Sequence, residues 1–167
     1  MLRKQIAIGM LAGFLSCAVA GAAAQSVRRI PLPNSDFPIS QGVWVGDTLY
    51  LSGMLNSSVA KGTPGDTEAQ TVHTLENIKH VLEAQHLSMG DVVLMHVYLA
   101  GDAAQGGKMD FAGFMKGYTQ YFGTKDQPNK PARSAMQVAA LALPGALVEI
   151  EVTAVSSGGP MHAQLGK

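Results

Sequence analysis

The 167-residue chain carries 12 basic and 12 acidic side chains and has a formal net charge of zero. This balance argues against a basic nucleic-acid-binding surface and excludes the disordered acidic class. The length is typical of a single domain.

The N-terminus has the three parts of a secretory signal peptide. Arg3-Lys4 are basic, residues 6–20 are apolar, and Ala22-Ala23-Ala24 form an A-x-A cleavage site. The apolar run is short and rich in small residues compared with a membrane span of about 20 residues. We expect cleavage after Ala24 to remove residues 1–24 and leave a periplasmic or secreted protein that is not bound to a membrane. An uncleaved anchor is the alternative.

The sole cysteine, Cys17, lies inside this signal. A lipoprotein would carry its lipid there, but Phe14 occupies the position where a small aliphatic residue is expected. The mature chain then has no thiol, which excludes a disulfide, a thiolate nucleophile and a cysteine metal site.

A proline-rich arm over residues 25–40 predicts a loop or an edge segment. The runs Gly42–Val45 and Thr48–Ser52 then flank Gly46-Asp47, and a two-residue loop with glycine first predicts a type II′ hairpin. Gly53 follows directly, where the backbone can turn sharply or approach a ligand.

A first helix is predicted from Thr67, which has the spacing of a capping box with Gln70. The apolar stripe of this helix comprises Ala69, Val72, Leu75, Ile78 and Leu82. Its other face carries charged side chains together with His73 and His80. Because two turns separate these histidines, the pattern favours a solvated face over a metal site.

A buried strand is predicted over Val92–Leu99, directly after Asp91. It is almost unbroken in apolar character, so we expect it to be covered on both faces, by helices or by another subunit.

A second helix is predicted from an N-cap at Asp110 to a stop at Gly123. Its apolar face is aromatic, and this stripe favours core packing over a cofactor site. The residues of the stripe are Phe111, Phe114, Met115, Tyr118, Tyr121 and Phe122.

The last two strands are predicted to form a hairpin that turns at Pro144-Gly145. With its tip near Leu143, Glu149 would face Gln137 and Arg133 would face Thr153. The two charges would then be roughly 13 Å apart at about 3.3 Å per residue, too far for an ion pair. Arg133 shares a face with Ala135 and cannot lose its charge, so it needs an anionic partner or water.

The element order β-β-α-β-α-β-β predicts an α+β domain with two helices on one face of a mixed sheet. Motifs of serine hydrolases, phosphate loops, zinc proteases and cysteine pairs are absent from the sequence. The remaining candidates are Arg133 as an anion anchor, Glu149 as an acid or base, and Ser52 and Gly53 at a strand end.

Five segments in order resemble the RidA/YjgF family of reactive-intermediate deaminases, from about Gln41 to Val155. They are Val43–Gly53, Glu68–Thr71, Leu75–Lys79, Pro131-Ala-Arg-Ser134 and Val148-Glu-Ile-Glu151. The resemblance implies a domain over 41–156, between the arm and a tail over 157–167. It also implies a chorismate-mutase-like fold assembled as a homotrimer, with ligand clefts between subunits.

In the deaminases of that family, the arginine matching Arg133 binds the substrate carboxylate. The glutamate matching Glu149 positions or activates water for attack on the imine carbon. The resemblance therefore implies hydrolysis of an enamine or imine without metal or cofactor, releasing ammonia and a 2-oxo acid. Ser52, Gly53 and Ala135 are implied to line the substrate site. The chemistry suits the residues, because guanidinium fixes a carboxylate in two places and a carboxylate transfers protons.

The sequence departs from the deaminase pattern at three positions. The segment Phe37-Pro38-Ile39 lacks the tyrosine that the family's deaminases usually carry there in a G-P-Y segment. Ala135 stands where they often have a cysteine, and Met115 stands where an asparagine is expected. A carboxylate-binding protein without turnover is therefore the alternative function. A structural ion pair of Arg133 across a subunit interface is a further alternative. The sequence shows no basic patch or aromatic stacking surface, and this argues against a ribonuclease.

Overall fold

The computed structural model describes residues 25–157, so the predicted signal peptide and residues 158–167 of the predicted tail lie outside the described part. The strands and α-helices of that part follow one another along the chain. They are β1 (Val27–Pro31), β2 (Ser40–Val45), β3 (Thr48–Leu51), β4 (Met54–Leu55), α1 (Thr67–Ala84), β5 (Val92–Ala100), α2 (Phe111–Tyr118), β6 (Ala132–Val138) and β7 (Val148–Val155).

These strands form one mixed sheet in the order β1-β2-β3-β7-β5-β6, with β4 also beside β7. Neighbouring strands are antiparallel except β5 and β6, which run parallel. Both helices pack on one face of the sheet, and we call the other side the open face. The predicted α+β class with a mixed sheet and two helices is confirmed.

The first hairpin forms as predicted. Val45 pairs with Thr48 across the two-residue loop. Gly46 has φ of 63°, whereas Asp47 keeps a negative φ, as a type II′ turn requires. The proline-rich arm contributes β1, which pairs with β2 at the edge of the sheet.

The predicted hairpin of the last two strands is wrong. β5 lies between β6 and β7, so Arg133 pairs with Met95 and Glu149 with Tyr98 and Leu55. The segment 139–147 is a connection that passes the end of β5 rather than a tight turn. A central position suits β5, whose helix-side residues Met95, Val97 and Leu99 are fully buried.

The start of α1 differs from the predicted capping box. Asp66 is the N-cap, and its carboxylate accepts a hydrogen bond of 2.9 Å from Ala69 N. Gln70 is fully buried and instead ties the helix to the connection before β7. It donates to the carbonyls of Gly65 and Gly145 and accepts from Leu147 N at 2.9 Å.

The buried stripe of α1 is only partly the predicted one. Leu75, Ile78 and Leu82 are fully buried, but Ala69 is exposed and Val72 only half-buried. Four polar residues complete the buried face: Thr67, Gln70, Thr71 and Thr74. The helix therefore joins the core through a mixed surface rather than a continuous apolar stripe.

Helix α2 begins at the predicted cap, where Asp110 accepts from Gly113 N at 2.8 Å. It ends at Tyr118, before the predicted stop, and Gly123 adopts its positive φ of 72° in the segment that follows. Phe114, Tyr118 and Phe122 join the core, whereas Phe111 stays 42% exposed.

The open face of β5 is not covered by the described chain. Val93 is 47% exposed, and Leu94, His96 and Tyr98 are half-buried. Coverage of this face by another subunit therefore stays a prediction. In the described part of the chain, none of the helices is both long and apolar enough to span a membrane.

Candidate functional site

Arg133 lies on the helix side of edge strand β6, against three rings of α2. Its guanidinium carbon is 4.3 Å from the ring centre of Tyr118, 5.0 Å from Phe114 and 5.9 Å from Phe111. Aromatic faces attract a guanidinium and fix its plane. The predicted aromatic stripe therefore packs in the core and also orients the guanidinium of Arg133.

The Arg133 guanidinium has unused hydrogen-bonding capacity. Its Nη1 is buried and has no hydrogen-bond partner within residues 25–157, and none of the ion pairs found there includes Arg133. Burial raises the pKa of the neighbouring Tyr118, and the positive charge of Arg133 partly offsets that rise. A buried N–H donor without a partner is costly, so this half-buried guanidinium is suited to receive an anion.

Ala135 lies two residues along β6 on the same helix-facing side and packs against the core. Met115 of α2 also packs against that core. Both positions depart from the deaminase pattern that the sequence resembles, and both contribute apolar atoms to the packing around the core.

Glu149 of β7 lies on the open face, directly beside Gly53. Between the pairs Tyr50–Thr153 and Met54–Ile150, residues 51–53 oppose only two residues of β7. This extra residue is a β-bulge, a device that re-aims the chain next to functional sites. A β-carbon built on Gly53 would overlap Oε1 of Glu149.

Ser52 fixes the bulge from the side of β2. Its N–H donates to Gln41 O at 3.0 Å, and its hydroxyl donates to Ser40 O at 2.7 Å. The hydroxyl proton is therefore committed to the backbone, and Ser52 can only accept a further hydrogen bond. The structure thus brings Ser52, Gly53 and Glu149 together.

The surroundings of Glu149 favour its protonated form. Partial burial, and then the charge of Glu151, raise the pKa of the Glu149 carboxyl. A carboxylate whose charged form is disfavoured is a stronger base and accepts a proton more readily.

Sequence reasoning missed a hydrogen-bonded cluster beside Glu149. Glu151 Oε1 accepts from Tyr98 OH at 2.9 Å and lies 2.7 Å from His96 Nδ1. A cavity of about 280 Å³ opens next to it, lined also by Tyr50 and Thr153. The signal was present in the alternation of β5 and β7, which places all three residues on the face of Glu149.

Arg133 and Glu149 do not meet within one chain. Arg133 shares its face with the buried Met95, whereas Glu149 alternates with the buried Val148 and Ile150 and points to the open face. The two charged groups therefore lie on opposite faces of the sheet, with β5 between their strands.

The two histidines of α1 have different surroundings, because His80 is exposed and His73 is half-buried. His73 Nε2 is 3.2 Å from Ser58 Oγ, and its Nδ1 is buried without a partner among the described residues. Tyr121 OH donates to Glu76 at 3.0 Å, and His80 is 3.6 Å from the same carboxylate. In the described part of the chain, no group of three or more His, Cys, Asp and Glu side chains could hold a metal ion.

Comparison with known proteins decides the family. The family model described as Endoribonuclease L-PSP matches residues 31–156. A RutC family protein of Saccharolobus solfataricus is 40% identical over 126 residues, which cover 72% of this chain and 88% of that protein. The chain belongs to the RidA/YjgF family.

A RidA/YjgF relative with a named activity is the 2-iminobutanoate/2-iminopropanoate deaminase of Capra hircus. It is 38% identical over 141 residues, covering 81% of this chain and 93% of the relative. Among solved structures, a YjgF/YER057c/UK114 family protein of Mycobacterium tuberculosis superimposes with a TM-score of 0.61 at 27% identity. The match covers 78% of this chain and all of that one.

The two RidA/YjgF motifs that carry Arg133 and Glu149 lie on different strands of the sheet. Pro131–Ser134 begins edge strand β6, whereas Val148–Glu151 lies on β7 beside the bulge of Ser52 and Gly53. In the arm, Phe37 is 65% and Ile39 47% exposed, so the segment that lacks the tyrosine lies on the surface of the chain.

Proposed function

We propose that this RidA/YjgF protein hydrolyses imines or enamines that bear a carboxylate, releasing ammonia and a 2-oxo acid. The observation that carries the proposal is the Arg133 guanidinium, which is fixed by aromatic rings and has a buried N–H without a partner among the described residues. The named activity of a relative that is 38% identical supports the same reaction class.

Arg133 would hold the substrate carboxylate. A planar guanidinium offers two parallel N–H donors to the two oxygens of a carboxylate, which fixes both position and orientation. The rings of Phe114 and Tyr118 keep this donor plane in place before substrate arrives. Less conformational freedom is then lost on binding.

Glu149 would accept a proton from the attacking water. The water oxygen bonds to the imine carbon as the C=N π electrons move to nitrogen, and the proton taken by Glu149 is returned to that nitrogen. The remaining hydroxyl proton then moves to the nitrogen by way of the same carboxylate, the C–N bond breaks, ammonia leaves and the oxygen becomes the carbonyl. Both water protons end on nitrogen, so one water is consumed for each ammonia released. The raised pKa of Glu149 suits this exchange.

Both halves of the site are needed for this reaction, and one chain keeps them apart. We therefore propose a homotrimer in which Arg133 and Ala135 of one subunit face Ser52, Gly53 and Glu149 of its neighbour across a cleft. The exposed residues of edge strand β6 and the uncovered open face give such neighbours a surface to bind.

The location of the reaction is also a proposal. The signal-like residues 1–24 would direct the protein to the periplasm or the exterior, with a mature chain that starts at or near Gln25. The intact mass of protein from an envelope or secreted fraction decides this. A chain starting at Met1, or a lipid on Cys17, would contradict it.

Four proteins test the function: the mature wild type, Arg133→Ala, Glu149→Gln and the control Arg29→Ala, which removes an exposed arginine of β1. A 2-imino acid generated in situ serves as substrate, and its 2-oxo acid as binding ligand. Arg133→Ala should weaken binding about 30- to 150-fold, equivalent to roughly 2–3 kcal/mol. Glu149→Gln should bind normally and lose about 100-fold or more in turnover.

Light scattering on the same samples separates the alternatives. The proposal predicts a trimer for all four proteins. Carboxylate binding that depends on Arg133, without turnover in the wild type, would identify a binding protein. Loss of the trimer in Arg133→Ala would identify a structural ion pair. Unchanged affinity in a folded, trimeric Arg133→Ala ends the anion-anchor assignment.

A further inference from the structure

Glu151 carries a negative charge that the fold holds at one place on the open face. Tyr98 OH donates to its Oε1 at 2.9 Å, and His96 Nδ1 lies 2.7 Å from the same oxygen. A surface carboxylate normally samples several rotamers, whereas two partners on one oxygen restrict it. This restraint implies that the position of the Glu151 charge matters.

Glu151 and Glu149 are near neighbours. They are two residues apart on β7 and point to the same face, which puts their α-carbons about 6.6 Å apart at about 3.3 Å per residue. Tyr98 pairs in register with Glu149 but donates diagonally to Glu151. The phenol proton therefore stabilises Glu151 and not the proposed base.

Few other titratable groups of the described chain face Glu149. On β5 they are Tyr98 and His96, both bonded to Glu151. The bulge and β4 contribute Gly53 and Leu55, and β6 contributes the uncharged Ser134 and Met136 to this face. Arg133 lies on the opposite face. Glu151 is therefore the neighbouring charge that Glu149 experiences within residues 25–157.

We propose that Glu151, fixed by Tyr98 and His96, is a positioning residue that makes Glu149 the stronger base. A like charge nearby disfavours the ionised form of a carboxyl group, so Glu149 takes a proton from water more readily. This inference rests on the proposed role of Glu149, and it assigns a role to three residues that do not themselves contact the reacting atoms. The charge of Glu151 is the second cause, after burial, of the raised pKa of Glu149.

The test follows the titration of the Glu149 carboxyl by ¹³C NMR in mature protein labelled at glutamate, with Glu149→Gln to assign the signal. Glu151→Gln removes one charge and keeps the shape, so the pKa of Glu149 should fall. Glu151→Asp keeps the charge and should retain most of the rise. Glu83→Gln, on the exposed side of α1, is the matched control and should change nothing.

Turnover supplies a second readout. The acidic limb of the pH profile of kcat/KM should move to lower pH in Glu151→Gln, and the plateau should fall about 3- to 10-fold. If Glu151→Gln does not fold, Glu151→Thr removes the same charge with a residue that strands favour. An unchanged Glu149 titration in a folded variant without the Glu151 charge overturns the inference. Because this titration needs no substrate, it decides the inference even where the wild type shows no turnover and the proposed function fails.

Discussion

The carboxylate of Glu149 lies so close to the α-carbon of Gly53 that a β-carbon at position 53 would overlap its Oε1. Gly53 keeps a φ that other residues can adopt, so space rather than backbone conformation requires glycine there. The bulge over residues 51–53 creates this proximity by placing an extra residue opposite β7. Adding a single methyl group at position 53 is therefore expected to displace the carboxylate of Glu149, the proposed base.

Gly53→Ala should displace the Glu149 carboxylate and lower turnover about 10-fold or more, because small errors in the position of a base are costly. Overpacking should also destabilise the fold by about 1–3 kcal/mol. Kinetics with the 2-imino acid and denaturant unfolding measure the two effects.

Gly90→Ala is the control for the Gly53 substitution. A β-carbon there would meet only the ends of flexible side chains, the nearest being Asn129 Nδ2 at 3.3 Å. This variant should keep wild-type turnover. Wild-type turnover in Gly53→Ala itself would remove Glu149 from the reaction or show that the carboxylate can move without consequence.

Much of the fold could be predicted because local signals were strong. The glycine-first loop Gly46-Asp47 and the cap at Asp110 each specify their structure through a few adjacent residues. The continuous apolar character of Val92–Leu99 likewise predicted a strand, and β5 forms there between β7 and β6. These features depend little on the rest of the chain.

The arrangement of the last strands could not be predicted from local signals. Pro144-Gly145 marks a turn, but a turn does not reveal whether another strand lies between the segments it joins. Gln70 shows the same limit, since its partners at Gly145 and Leu147 are far along the chain. From the sequence alone, the polar side chain of Gln70 three residues after Thr67 therefore predicted a capping box.

The candidate site was predictable as a set of residues and not as an arrangement. Alternation along β6 and β7 identified Arg133 and Glu149 as charges on half-buried strands. Their placement on opposite faces depends on the parallel pairing of β6 with β5. The contact of Arg133 with Tyr118 likewise joins a strand and a helix whose packing no local pattern specifies.

Gln70 should be a major contributor to stability. Gln70→Ala leaves Leu147 N–H and two carbonyls without their partners and opens a cavity at a fully buried position. We expect the free energy of unfolding to fall by about 2–4 kcal/mol in denaturant titrations at equal protein concentration. Gln120→Ala, an exposed site on the segment after α2, should change it by less than about 0.5 kcal/mol. Equal effects at the two positions would contradict this role.

Glu149 should make the protein less stable as the pH rises. Burial and the charge of Glu151 raise its folded pKa above the ordinary carboxyl value, so the folded state binds the proton more tightly than the unfolded state. Its contribution to stability is therefore complete below the unfolded pKa and is lost as pH rises through the folded pKa. Glu149→Gln, which stays uncharged, should have a higher Tm than the wild type at neutral pH, and the difference should vanish in acid. Asp126→Asn removes an exposed loop charge as the control. A Tm difference that is constant with pH, or that grows in acid, would contradict the direction of this shift.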